Sequence, residues 1–328
     1  MLLDALTAGE TEELRSKVGQ LMWLCRIAQP SVACRTSKLQ SVMNKGVVED
    51  ILTCNKTLAY AKEHKNDGFH FRPGVVDWSV PGGSVMLTIA DASHANEFEF
   101  VDVTQELEPY RTQGGRITAL ASLSVISGEE CNLHIFSTSS TSVKRVTRAT
   151  VQGETYNLQS GVEFGDVMRA AIADMHDRLD RNDWERTSSM FMKHVWCTDC
   201  KSSEAALCNP VMGKIQDKRL GIEFAALRQS LWRVEGQALG DPRLCDALPD
   251  RAIATDICRW IDTDVMLADP LTKPMDASKM LHAMKTNYWD MKQPIESLRK
   301  KREKQRQRRK TPMPDDEVEG ATPDLATP

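Results

Sequence analysis

Four acidic residues stand where regular structure could gather them. Asp91 closes an alternating run, residues 85–91 (VMLTIAD), whose Val85, Leu87, Ile89 and Asp91 share one face of a predicted strand. Glu154 falls in the first turn of a long helical pattern, and Asp199 ends the apolar run KHVWCTD at 193–199. Asp269 follows the last predicted strand, in VMLADPLTK. Carboxylates at neighbouring strand ends and at a helix start can converge. Phosphodiester hydrolysis with two cations roughly 3.5–4 Å apart needs such a convergence. Oxygen ligands suit Mg2+, and Mn2+ fits the same donor set.

A second constellation offers softer ligands. His194, Cys197, Cys200 and Cys208 read H-x2-C-x2-C-x7-C, four donors of the kind zinc takes. The alternative is a buried strand with incidental cysteines, since alternation turns His194 and Cys197 to opposite faces. Nine scattered cysteines, an odd number, suit reduced thiols rather than a disulfide framework.

Positioning the acids takes a sheet. Residues 85–91, 116–127 and 132–136 read as strands, the last two separated by a hairpin-like SGEE turn. A helical pattern covers 150–179, with Gly161 and Gly165 costing about 1 kcal/mol each relative to Ala and allowing a bend. A strand at 194–198, a helix at 218–232, a strand at 254–261 and a helical stretch opening at Val265 follow. The order βββ-α-β-α-β-α predicts a mixed sheet flanked by helices. Upstream, residues 7–65 read as three short amphipathic helices. Leu14, Val18, Leu21, Met22 and Cys25 share a face of the first, and Pro30 opens the second.

The 328 residues are 41% hydrophobic and 27% charged, which excludes collagen-like, wholly disordered and disulfide-scaffold classes. No run approaches the roughly 18 apolar residues of a membrane span, so no membrane partner is expected. The net charge of −4 is unevenly spread. Residues 299–310 (RKKREKQRQRRK) hold nine bases and one acid, residues 311–328 five acids and no base, and residues 1–298 hold 33 bases against 40 acids. A mildly acidic body argues against holding nucleic acid by bulk electrostatics, so phosphate contacts must be local. The arm, beginning Arg299, Lys300, Lys301, Arg302, is one candidate, as a phosphate-binding strap or a nuclear-import signal. A local groove is another.

Six strings, in order, carry a resemblance: GQLMWLCRIAQPS from Gly19, TIADASHAN from Thr88, VQGETYNL from Val151, VWCTDCKS from Val195, DKRLGIEFAALRQ from Asp217 and WIDTDVMLADPLTKPM from Trp260. Together they resemble the end of the reverse transcriptase and the ribonuclease H domain of Copia-type long-terminal-repeat retrotransposons, over residues 19–275. The most specific is the last, where Ile261, Asp262 and Thr263 lead into ADPLTK.

The resemblance implies a ribonuclease H-like α/β fold: a five-stranded mixed sheet, its first three strands antiparallel, with helices on both faces. It implies cleavage of the RNA strand of an RNA–DNA hybrid during reverse transcription, with two Mg2+ ions held by Asp91, Glu154, Asp199 and Asp269. The implied organisation is a helical remnant of reverse transcriptase at 1–65, a linker at 66–83, the ribonuclease H-like domain at 84–276, a helical extension at 277–292 and a disordered tail at 293–328. No Tyr-x-Asp-Asp run occurs, so polymerisation would belong to a reverse transcriptase region missing from this chain, which reads as the C-terminal piece of a polyprotein. The implied setting is intracellular: cytoplasmic in a virus-like particle, and nuclear. The helix from Asp217 keeps the family's Lys218 and Arg219, the implied nucleic-acid contacts, while Cys200 and Ala225 stand where relatives carry asparagine and histidine, and TQGG at 112–115 only loosely matches the family's segment. An inactive remnant that at most binds nucleic acid is the alternative.

Overall fold

A computed structural model describes residues 3–100, 107–209, 213–231 and 256–292, with backbone alone at 95–100 and 107–110. The basic arm, including Arg299, Lys300, Lys301 and Arg302, the acidic tip and residues 236–251 lie outside the described residues.

Three strands, β1 (Val85–Phe100), β2 (Leu107–Ala121) and β3 (Cys131–Ser142), form an antiparallel meander. After the helix α4 (Thr150–Met175), β4 (His194–Thr198) returns parallel to β1, and β5 (Ile257–Trp260) is parallel to β4. A two-residue strand, β6 (Tyr288–Trp289), pairs with the outer edge of β3, giving the order β5-β4-β1-β2-β3-β6. With helices on both faces this is the helix-flanked mixed sheet with an antiparallel first three strands that was expected, extended from five strands to six. The segment expected as a helical extension thus holds α9 (Ser278–Thr286) and then an edge strand.

Both sheet faces are buried, which explains the long apolar runs. Leu87 and Ile89 of β1 join Ile117, Leu133, Leu271 and Met280 in one cluster. The same cluster takes in Leu14, Val18, Leu21 and Cys25 of the N-terminal helix α1 (Ala8–Ile27). α1 starts at a capping box in which Thr7 Oγ1 accepts from the Glu10 amide at 3.3 Å and Glu10 Oε2 accepts from the Thr7 amide at 2.8 Å. A 3-10 turn at Pro30–Val32, α2 (Ala33–Val42) and α3 (Val48–Glu63) complete the helical segment, which shares the sheet's core instead of standing apart.

The opposite face carries α4, α6 (Lys201–Cys208) and α7 (Lys218–Leu231), with Leu158, Val162, Trp196, Phe224 and Leu227 between them. α4 is continuous through Gly161 and Gly165. A Cβ at Gly165 would lie 2.4 Å from His194 Cε1, so the glycine is there to let the helix lie close to the sheet.

Three expectations shift. β1 runs on to Phe100, past Asp91. The strand expected at 116–127 lies at Leu107–Ala121, followed by a 3-10 turn at Leu123–Ser127. The short helices α5 (Trp184–Phe191) and α6 carry too few periods to read from sequence.

Candidate active site

Asp91 lies in the centre of the sheet, 5% exposed, opposite Gly115 in the β1–β2 register. Asn157 of α4 pins this point by donating from Nδ2 to the carbonyls of Asp91 at 2.7 Å and Gly115 at 2.9 Å. On the other face the short helix α8 (Asp269–Thr272) presses on Gly115, where a Cβ would stand 2.8 Å from Leu271 Cβ and from Thr272 Cγ2. The Gly-Gly pair of TQGG is therefore inside a strand: a side chain at Gly115 would push α8 off the sheet, and one at Gly114 would displace Asn157.

Glu154, on the first turns of α4, is 4% exposed and takes a hydrogen bond from the Ala92 amide. Its Oε2 is buried with no hydrogen-bond partner. Asp199, just past β4, accepts from Thr263 Oγ1 at 2.8 Å, and its carbonyl accepts from Trp260 Nε1 at 2.8 Å. One carboxylate oxygen each from Asp91, Glu154 and Asp199 lie within 4.8 Å of one another. Three of the four expected acids thus meet at one point.

Asp269 stands beside them. It opens α8, is 7% exposed, and its Oδ1 pairs with Lys273 Nζ at 2.8 Å. Thr272, fully buried, donates from Oγ1 to Asp91 Oδ2 at 2.7 Å. The motif ADPLTK therefore delivers an acid, a hydroxyl that orients Asp91, and a cation. The last two were not singled out from the sequence, and the signal available was their fixed offset from Asp269.

Burial is the main cause of raised pKa values here. Desolvation lifts Asp91 from the usual 3.8 to about 7, Thr272 opposes it, and the charges of Asp199 and Asp269 add to it. Glu154 is raised well above its ordinary value by desolvation and then by Asp91 and Asp199. Asp199 is raised by desolvation, against the Thr263 hydrogen bond and with the charge of Asp269. Carboxylates so crowded need a cation or protons to coexist. An all-oxygen donor set with an orphaned buried oxygen fits a hard divalent ion.

A second group, Asp166, His194 and Asp256, is also close-set, but Arg169 already supplies its cation. Arg169 Nη1 donates to Asp256 Oδ1 at 2.6 Å and Nη2 to Asp166 Oδ1 at 2.8 Å, with Arg169 and Asp256 both buried. His194 is fully buried between Asp166 at 3.0 Å and Thr88 Oγ1 at 2.9 Å. Its ring faces α4 while Cys197 packs in the cluster on the opposite face, and Cys208 Sγ lies 3.6 Å from the Cys258 carbonyl. His194, Cys197, Cys200 and Cys208 therefore form no ligand group, and the zinc alternative fails on strand alternation. No disulfide forms among the eight described cysteines.

Lys218 and Arg219 are exposed on the first turn of α7. With Arg145, Arg148, Gln152 and Tyr156 they line a cleft of about 780 Å³. Gln152 is two residues from Glu154, so the cleft borders the start of the helix that carries a site acid. Arg145 lies over the Tyr156 ring at 4.9 Å and pairs with Glu223. Arg145 and Arg148 come from the loop before α4 and were not singled out from the sequence. Ala225 is exposed on α7, and Cys200 stands at the N-terminus of α6.

No family model and no curated protein matches this chain. Among solved structures it is similar to the N-terminal RNase H domain of a Mycobacterium tuberculosis protein, solved as a fusion with maltose-binding protein. That likeness has a TM-score of 0.30 and 11% sequence identity, and it covers 62% of this chain and 97% of the other. Among the described residues no helix is long and apolar enough to cross a membrane.

Proposed function

We propose that this chain is a divalent-metal-dependent endonuclease that cuts the RNA strand of RNA–DNA hybrids, in the manner of a Copia-type retrotransposon polyprotein, with no polymerase activity of its own. The carrying observation is the convergence of Asp91, Glu154 and Asp199 on one buried point where Glu154 Oε2 has no partner. Mg2+ or Mn2+ bound there would supply a water of lowered pKa and a countercharge for the departing 3′ oxygen. Asp91, Glu154, Asp199 and Asp269 are the residues that would hold it.

The remaining work falls to the chain. Thr272 and Thr263 hold the Asp91 and Asp199 carboxylates in fixed orientations, and Asn157 locks the strand carrying Asp91 to the helix carrying Glu154. Such support matters because ligands must stay within about 0.5 Å of a productive geometry. Arg145, Arg148, Lys218 and Arg219 outnumber Asp217 and Glu223 around the cleft, a local basic excess on an otherwise acidic body that would face the phosphates. Hybrid selectivity would rest on 2′-hydroxyl contacts in a wide, shallow minor groove, without base readout. The partners of this reading are the hybrid and a separate polymerase region, and its setting is the cytoplasmic particle or the nucleus.

The test is cleavage of an end-labelled RNA–DNA duplex with Mg2+ by the parent chain, Asp91→Asn and Asp199→Asn. Cleavage by the parent alone is expected. Equal cleavage by all three would indicate a contaminant, and none by any would leave the inactive remnant as the reading.

A further inference from the structure

The run ADPLTK contains a charge that the hydrolytic scheme does not use. Lys273 follows α8, with its amide donating to the Asp269 carbonyl at 3.3 Å and its Nζ 2.8 Å from Asp269 Oδ1. Its side chain is 44% exposed, so the ammonium reaches the site from the solvent side. Burial works against its charge, but the hydrogen bond and charge of Asp269, and then the charges of Asp91 and Asp199, outweigh that and raise its pKa. The ammonium is held where the acids' fields overlap.

The four acids are thus divided. Asp91, Glu154 and Asp199 bring oxygens within 4.8 Å of one another, and one of those carboxylates keeps a buried oxygen without a partner. Asp269 sits beside that trio, and its buried Oδ1, which takes no well-aligned hydrogen bond, is engaged by the Lys273 ammonium as an ion pair at 2.8 Å. A divalent ion can enter the first set without displacing a side-chain cation. An ion drawing on Asp269 must either move the ammonium or sit next to it, and two positive groups a few ångströms apart repel strongly where water is partly excluded. Lysine sits on a flexible stem, so swinging away is feasible, and a half-exposed pair of this kind is worth little by itself.

We propose that Lys273 is a resident counter-ion that competes with the second divalent cation, so that the chain binds one ion tightly at Asp91, Glu154 and Asp199 and a second one weakly at Asp269. This rests on the metal-site reading given under Proposed function. Occupancy of the second position then depends on free cation concentration, and Lys273 sets the threshold.

Calorimetric titration of the full chain with MnCl2, and separately with MgCl2, tests this without any activity measurement. Parent protein, Lys273→Gln, Lys273→Arg and Asp91→Asn are compared, with circular dichroism confirming that each is folded. The parent is expected to show one tight and one weak binding event. Lys273→Gln should tighten the weak event by about tenfold or more and move the tight one little, while Lys273→Arg, which keeps the charge, should match the parent. A Lys273→Gln titration superimposable on the parent's, or a parent with two equally tight events, would overturn the competition. Absence of any binding that Asp91→Asn removes would overturn the metal site itself, which is a separate outcome.

Discussion

Replacing Asp91 by asparagine should make the metal-free protein more stable at pH 8, although it removes a ligand. Burial holds the Asp91 carboxyl at about 7 against 3.8 for an ordinary aspartate. Between those values the folded chain keeps the proton that the unfolded chain has lost, so stability falls as pH rises from about 4 to about 7 and levels off above. A gap of about three pH units at about 1.4 kcal/mol each sets a ceiling of about 4 kcal/mol for the cost of ionising Asp91 in the fold. The neutral carboxamide of Asp91→Asn would avoid that cost while its oxygen still accepts from Thr272 Oγ1, which lies 2.7 Å from Asp91 Oδ2. Neighbouring acids share the strain, so a gain of about 2–4 kcal/mol is expected. Urea denaturation in EDTA at pH 8 reads it directly, and the gain should shrink towards zero by about pH 4. MgCl2 or MnCl2 should stabilise the parent and leave Asp91→Asn nearly unchanged, because ligands stabilise only the state that binds them. A destabilised Asp91→Asn in EDTA, or a difference independent of pH, would refute the buried-acid reasoning.

Three further outcomes follow from named contacts. Gly115→Ala places a methyl 2.8 Å from Leu271 Cβ and 2.9 Å from the Ala268 carbonyl, and should cost about 1–3 kcal/mol in urea denaturation. Arg169→Met strands Asp256, which is 1% exposed, and should cost about 3–5 kcal/mol by the same measurement, whereas a surface arginine such as Arg181 should cost almost nothing. Lys218→Ala combined with Arg219→Ala should weaken hybrid binding to a similar degree for all sequences and flatten the salt dependence by about one counter-ion per side chain, as read by fluorescence anisotropy across a salt series.

Asp91, Glu154 and Asp199 were legible because each falls at a place that local pattern defines: an alternating strand, a helix start, a strand end. The strand at His194–Thr198 and the start of α4 were legible for the same reason, a short-range period. The strand role of TQGG was not, because its explanation, Asn157 against Gly114 and α8 against Gly115, lies far along the chain. Lys273 and Thr272 were visible as letters of a motif, but their roles depend on which carboxylate each meets. The H-x2-C-x2-C-x7-C spacing offered ligands that folding separates, since the sheet's alternation places His194 against α4 and Cys197 in the opposite core.

By itself the sequence determined the order of the main strands and helices, though not α5, α6 or β6, and with it the acids' positions and the split between an acidic body and a basic arm. Those follow from periodicity and charge, which act over a few residues. Only the tertiary structure decided that Asp269 would stand beside the other three acids with Lys273 paired to it, that Arg145 and Arg148 would share a cleft with Lys218 and Arg219, and that α1–α3 would complete the sheet's core. Each of those turns on how closely two elements pack, set by side chains far apart in the chain, and no local pattern records it.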